Sequence, residues 1–121
     1  MKILLPLALL FILVSCNKIE YETVYIGLAE GPSVTKVNED ISITIKYGTP
    51  SSDGHFDRFI ETEHTTTRYI QAIARFGHDA TAAHKIHTVY YSFKASSSGT
   101  YYLKFKSGPS TYINKTVVVT D

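Results

Sequence analysis

The chain has 121 residues, of which 44% are hydrophobic and 19% are charged. This length fits one domain, and the apolar fraction is too high for wholesale disorder. Twelve basic and eleven acidic side chains give a formal charge of +1, so no strong positive field indicates a nucleic-acid partner. The single cysteine excludes a disulfide framework and a thiolate metal cluster within the chain. The composition describes a small globular module, and nothing in it predicts a cofactor.

The first residues predict a leader that is not part of the fold. Met1 and Lys2 provide a short positive start, and residues 3–14 follow without a charge. A membrane-spanning helix needs about 20 apolar residues, so this shorter run is typical of a signal peptide. Together with the motif that follows this run, it predicts that residues 1–15 are a lipoprotein signal peptide.

The apolar run ends in Leu13-Val14-Ser15-Cys16, which resembles a bacterial lipobox. The resemblance implies cleavage before Cys16, attachment of diacylglycerol to its sulfur and acylation of the new amino terminus, for example by palmitate. Several acyl chains give stable anchoring, since each buried methylene contributes about 0.8 kcal/mol. Residues 16–20 are then the lipidated cysteine and a short tether in a bacterial cell envelope. Asn17, where Asp would indicate inner-membrane retention, favours the outer membrane, and either side of it stays open.

Beyond the tether, apolar and polar residues alternate with a period of two, which predicts strands. The clearest strand contains Ile43 and Ile45, and residues 77–85 are the least strand-like segment. The period slips near Asn114 and Lys115, which predicts a β-bulge there. In chain order, the strand candidates are residues 23–28, 41–47, 55–63, 66–76, 86–95, 101–106 and 111–120.

These elements predict an all-β fold. About seven strands separated by Gly, Pro or Ser turns are typical of an antiparallel immunoglobulin-like β-sandwich, here over residues 21–121. An open barrel of similar length is the main alternative. The inward phase of three strands predicts one shared core, made of Ile41, Ile43, Ile45, Val89, Tyr91, Phe93, Tyr101, Leu103 and Phe105.

Two motifs carry a family resemblance. The run Gly99-Thr100-Tyr101-Tyr102-Leu103-Lys104-Phe105 resembles the Gly-Thr-Tyr-x-Leu-x-Phe strand of bacterial immunoglobulin-like domains. Residues 37–43 are similar to the turn into strand B of those domains, with Asn38 in place of the usual Gly. Together with the lipobox, the resemblance is to small immunoglobulin-like lipoproteins of Bacteroidota-type bacteria. It implies a Tyr101 corner hydrogen bond, a fold and a location, and it implies no particular activity.

Three histidines form the one candidate metal site. His78, His84 and His87 lie in or beside the least strand-like segment, and three imidazoles plus water are a common catalytic zinc ligand set. Their spacing matches no familiar zinc motif, and His87 is in phase with core residues. An envelope metal-binding protein that uses this histidine cluster is therefore the alternative function.

Exposed aromatic side chains carry the main functional prediction. Tyr25, Tyr90 and Tyr102 lie in the outward phase of their strands, where tyrosines can bind a protein or a glycan. The competing interpretation is cross-strand packing on a half-buried sheet.

Enzymatic chemistry has no comparable pattern. Asp57, Glu61 and Glu63 alternate along one strand candidate, and three acids on one face are more typical of a solvated edge than of a glycosidase pair. The chain has no Gly-x-Ser-x-Gly elbow and no Gly-rich phosphate loop. We therefore expect a non-enzymatic envelope module, held at the membrane by its lipid, with a protein or glycan partner and no nucleic acid.

Overall fold

A computed structural model describes residues 19–50, 54–77 and 84–121. None of these residues belongs to a helix, so no helix able to cross a membrane occurs among them. The strands are β1 (Glu20–Val24), β2 (Ile26–Glu30), β3 (Val34–Lys36), β4 (Ile41–Thr49), β5 (His55–His64), β6 (Thr67–Phe76), β7 (Lys85–Phe93), β8 (Gly99–Lys106) and β9 (Tyr112–Thr120).

The strands form two sheets. The six-stranded sheet has the order β1-β6-β8-β9-β3, with β5 paired to the other edge of β6, and the three-stranded sheet has the order β2-β4-β7. Along β6, residues 67–70 pair with β8 and residues 72–76 pair with β1. The strands that pair on one side only are β1, β3 and β5 in the larger sheet and β2 and β7 in the smaller one.

One apolar core lies between the sheets, because alternate residues of each strand point to the same side. Of the nine predicted core residues, Ile41, Val89 and Tyr101 are half-buried against the core and the other six are fully buried. The inward face of β6 contributes Ile70, Ala72 and Ala74. The predictions of an all-β chain and of this shared core are confirmed, and two sheets around one core are consistent with a β-sandwich.

The strand count differs from the prediction of about seven, since the described residues form nine strands. The first candidate strand is interrupted at Tyr25: β1 pairs with β6 in one sheet, and β2 pairs with β4 in the other. A short β3 then pairs with β9. Both additional strands come from the amino-terminal segment changing sheets, which a period-two pattern cannot reveal because the alternation continues through the crossing.

The prediction of a wholly antiparallel sandwich is wrong for two pairs. β3 runs parallel to β9, and β6 runs parallel to β8. The second case follows from the β5–β6 hairpin, whose second strand, and not its first, lies beside β8. Alternation in a sequence reports which face a residue occupies and carries no information on strand direction.

The predicted bulge near Asn114 is also wrong. The β8–β9 register runs without a shift from Gly99 opposite Val119 to Lys106 opposite Tyr112. The polar residue that breaks the alternation is Lys115, which shares the core-facing side of β9 with Val117 and lies at the edge of the core. Its ammonium group donates to the Gly31 carbonyl at 2.6 Å and to Ser33 Oγ at 3.1 Å. The register shifts that do occur lie in β2 and β5.

Candidate functional site

The three predicted binding tyrosines are exposed, and they lie on two different faces. Tyr25 occupies the crossing between β1 and β2, Tyr90 lies on β7, and Tyr102 lies on β8 of the larger sheet. Their exposed fractions are 44%, 66% and 47%. The fold brings Tyr25 and Tyr90 to the side of the three-stranded sheet and places Tyr102 on the opposite outer face.

A groove of about 370 Å³ opens on the outer side of the three-stranded sheet. Gly48 lies opposite Ile86 in the β4–β7 pairing. The His84 ring lies against Gly48, where a Cβ would be 3.1 Å from its Nε2 atom. The register shift between Ile26 and Leu28 gives Leu28 the same phase as Lys46, which faces outward. The groove is lined by Tyr25, Gly27, Leu28, Lys46, Tyr47, Gly48, His84 and Ile86.

The β7 strand extends this apolar surface beyond the groove. Ile86 and Tyr90 are four residues apart on one face of β7 and are exposed by 65% and 66%, the highest values among the exposed large hydrophobic residues in the described ranges. Tyr90 lies opposite Thr44 of the central strand. Thr88 lies between them on the same face and is also exposed, so Ile86 and Tyr90 are two separate apolar side chains held on one face of the sheet.

The two described histidines of the predicted metal site point to different sides. His84 lines the outer groove. The His87 ring stacks on the buried Tyr47 ring at 4.9 Å, and its Nε2 lies 3.0 Å from Thr49 Oγ1. Burial lowers the pKa of His87, and the neighbouring charges of Lys85 and His55 lower it further.

The metal hypothesis accordingly stays a prediction. His78 lies outside the described residues, and within the described ranges no three potential ligands come together. Of these histidines, His87 has a structural role, because its ring packs on Tyr47 at the end of the core. Cys16, the predicted lipidation site, also lies outside the described residues.

A polar network that the sequence did not suggest crosses the open side of the core. The buried Tyr91 hydroxyl donates to the Glu61 carboxylate, and Arg68 Nη1 lies 3.5 Å from the same hydroxyl. Arg68 also forms an ion pair with Glu63 at 2.6 Å and lies 4.7 Å above the Phe93 ring. Burial raises the pKa of Tyr91, and the hydrogen bond to Glu61 raises it further. The network joins β5 and β6 of one sheet to β7 of the other.

The acidic strand is the solvated edge that alternation predicted, since β5 is an edge strand and Asp57, Glu61 and Glu63 are all exposed. Glu61 and Glu63 are held by Tyr91 and Arg68. A register shift between Phe56 and Arg58 places Asp57 in the irregular part of β5, where it pairs with its neighbour Arg58. The sequence signal for this network was weak, since Arg68 lies on β6, outside the strand that carries the acids, and pairing partners are set by the hairpin register.

A second, smaller cleft of about 140 Å³ lies on the outer face of the six-stranded sheet. Tyr69 and Tyr112 meet edge to face there with ring centroids 5.5 Å apart, and the Lys106 ammonium lies 5.5 Å from the Tyr112 ring centre. These rings already pack on one another. Sequence reasoning missed them because 43 positions separate them, although both have the outward phase that identified Tyr102.

Comparison of the chain with protein-family models, with curated proteins and with solved structures returned no match.

Proposed function

We propose that this chain is a non-enzymatic lipoprotein of the bacterial cell envelope, anchored through Cys16, whose β-sandwich binds a partner at the outer face of its three-stranded sheet. The observation that carries the proposal is the groove lined by Tyr25, Leu28 and Ile86, with Tyr90 exposed further along the same face of β7. Aromatic and aliphatic side chains on a rigid support are typical of the central part of a protein interface. A protein partner therefore fits this lining better than a glycan does.

The fate of the acidic side chains supports a binding role. Catalysis by a carboxylate pair requires two acids that face one another across a cleft. Here Glu61 and Glu63 serve Arg68 and Tyr91 at the rim of the core. The Glu61–Tyr91 contact joins the two sheets, and the Glu63–Arg68 pair joins β5 to β6 within one sheet. Both are structural uses of the groups that a hydrolase would need.

The immunoglobulin-like assignment also belongs to this proposal. Tyr101, at the start of β8, donates its hydroxyl to the Ser97 carbonyl at 2.7 Å, which is the pattern of a tyrosine corner. Asn38, which stands where the resembling domains have Gly, adopts a φ of 64°, and Asn is among the few residues that tolerate this left-handed region. The parallel β6–β8 pair departs from the antiparallel sheets of the immunoglobulin fold, so the assignment is to a variant topology.

A site-directed photocrosslinking experiment on intact cells tests the binding surface. A photoreactive phenylalanine analogue replaces Tyr90 in one strain and Tyr102 in a matched strain, since both tyrosines are exposed on opposite outer faces. We expect a discrete crosslinked protein from position 90 only, and less of it when Ile86→Ser is added. Equal capture from both positions, or capture that Ile86→Ser leaves unchanged, would refute the assignment of this face.

The anchor is tested separately by Cys16→Ala. Loss of the thiol removes the attachment point for lipid, so the variant should leave the membrane fraction and appear in the soluble fraction. Mass spectrometry of the parent protein should show the acyl groups on the peptide that begins at residue 16. A variant that stays as firmly membrane-bound as the parent contradicts lipid anchoring through Cys16.

A further inference from the structure

The chain enters the sandwich at one corner of the six-stranded sheet. Tyr21 of β1 lies opposite Arg75 of β6, and Arg75 in turn lies opposite His55 of β5. These three residues form a row across adjacent strands. Arg58 lies beside the row, with its guanidinium carbon 5.8 Å from the centre of the Tyr21 ring.

The row lies on the outer face of the sheet. Ala74 is fully buried and Phe76 packs against the core, so Arg75 between them points outward. Tyr21 is exposed by 55%. Glu20 and Glu22 alternate with Tyr21 along β1 and consequently belong to its other face. We call Tyr21, Arg58 and Arg75 the anchor-side cluster.

This cluster has an uncompensated positive charge. Asp57 forms an ion pair with Arg58. Arg75 takes part in none of the ion pairs among the described residues. An exposed guanidinium that holds a planar fork of donors is well suited to a phosphate group, which it can bind with two hydrogen bonds. The adjacent tyrosine adds an amphipathic ring of the type that is enriched at the membrane interface.

The length of the connection to the anchor places the cluster near lipid. From Cys16 to Ile19, the first described residue, there are three Cα–Cα steps, which span at most about 11 Å. Tyr21 follows two residues later in β1. A domain held by such a short tether keeps this corner within reach of the phospholipid headgroups.

We propose that the anchor-side cluster binds phospholipid headgroup phosphates of the membrane that holds the protein, and so sets the orientation of the sandwich on that membrane. This inference rests on the proposed lipid anchor at Cys16. Its recognition chemistry is a phosphate monoanion at a lipid surface, bound by Arg75 and Arg58 beside the Tyr21 ring. Anionic lipid strengthens the contact, since each cation near such a surface adds to the attraction.

The test uses the chain from Cys16 onward, coupled through its only cysteine to a maleimide lipid in vesicles. The buried core cluster of the described residues lies between Val24 and Val119, so removal of residues 1–15 takes no part of it. The chain has no tryptophan, so His55→Trp and His84→Trp each create a single reporter. Both histidines are exposed near the same end of the sandwich, on its two opposite outer faces. Brominated phospholipids then quench whichever tryptophan faces the bilayer.

We expect strong quenching of the residue-55 reporter and weak quenching of the residue-84 reporter in vesicles that contain phosphatidylglycerol. Adding Arg75→Gln should shift the ratio of lipid-facing to lipid-free orientation about fivefold, as expected for one cation at an anionic surface. Lys36→Gln removes the same charge at the opposite end of the sandwich and should change nothing.

Three results would overturn the proposal: equal quenching of both reporters, quenching that Arg75→Gln leaves unchanged, and release of the face by millimolar inorganic phosphate. The last result would indicate a small-anion site in place of a lipid contact. Because the maleimide lipid supplies the anchor, the vesicle experiment reports on the cluster independently of lipidation. Failure of the anchor itself appears in the Cys16→Ala fractionation.

Discussion

We expect Tyr→Phe replacement at two buried tyrosines, Tyr47 and Tyr91, to change the free energy of unfolding in opposite directions. The Tyr47 ring packs against His87 and Phe56 at the end of the core, and its hydroxyl is the one buried side-chain polar atom in the described ranges that lacks a hydrogen-bond partner. Burial also raises the pKa of the Tyr47 hydroxyl, because the charged form would lose its hydration. Tyr91 is equally buried, and its hydroxyl is bonded to Glu61 and Arg68. Replacement by Phe removes one oxygen in each case and keeps the ring contacts.

The magnitudes follow from the hydrogen bonds. An unsatisfied buried polar group costs about 1–3 kcal/mol, so Tyr47→Phe should raise the free energy of unfolding by about 1 kcal/mol. A hydrogen bond to a charged group contributes about 1.5–3 kcal/mol. The Glu61 side chain is 41% exposed, and solvent screening reduces that contribution. Tyr91→Phe should therefore lower the free energy of unfolding by about 1 kcal/mol.

Urea denaturation followed by far-UV circular dichroism measures the two effects. The midpoints of Tyr47→Phe and Tyr91→Phe should move in opposite directions with unchanged slopes, since neither variant alters the surface exposed on unfolding. Tyr90→Phe, at an exposed position, should leave the midpoint within experimental error. A Tyr47→Phe variant that loses as much stability as Tyr91→Phe would show that the Tyr47 hydroxyl has a stabilising partner, which contradicts the prediction.

Three further predictions concern stability. Ile43→Ala, at a fully buried position, should cost about 2–5 kcal/mol in the same titration. Gly54→Ala should destabilise by about 1–3 kcal/mol, because its Cβ would lie 2.5 Å from Thr49 Cγ2 and 2.7 Å from Phe76 Cε1. Gly27→Ala is the control, since the nearest contact of its Cβ is 3.8 Å away. The pKa of His87 is lowered in the folded chain, so the unfolded chain takes up the proton first as the pH falls below about 6.5. The parent should thus lose stability on acidification, and His87→Gln should lose less.

The sequence predicted which residues enclose the core because the strand period maps directly onto the two faces of a sheet. Ile43, Phe93 and Leu103 each lie where alternation placed them. The same pattern could not show that the chain changes sheets at Tyr25, because Val24 and Ile26 are buried on both sides of the crossing. Pairing order depends on contacts between distant segments, and alternation is silent about them.

The candidate site was predicted in part for the same reason. Outward phase identified Tyr25, Tyr90 and Tyr102 as exposed, and all three are. It does not assign them to the same sheet or to different sheets, and in the structure Tyr102 lies on the outer face opposite to the other two tyrosines. Ile86 is not among the predicted site residues, although it is exposed and lines the groove. Its outward phase is visible in the sequence, but the groove is also lined by residues of β2 and β4, which alternation does not place beside β7.

The two proposed surfaces are mutually compatible because they lie on opposite outer faces near one end of the sandwich. The anchor-side cluster includes Arg75, near the end of β6, and the groove contains Gly48, near the end of β4. Thr49 and Phe76 both approach Gly54, so the two strand ends lie at the same level. Packed sheets are about 10 Å apart. If the anchor-side cluster contacts lipid, the groove on the other sheet faces away from the bilayer, but it lies only a short distance from it. Under these two proposals a partner in the groove lies beside the membrane surface, and we therefore expect a protein that is embedded in that membrane or attached to it.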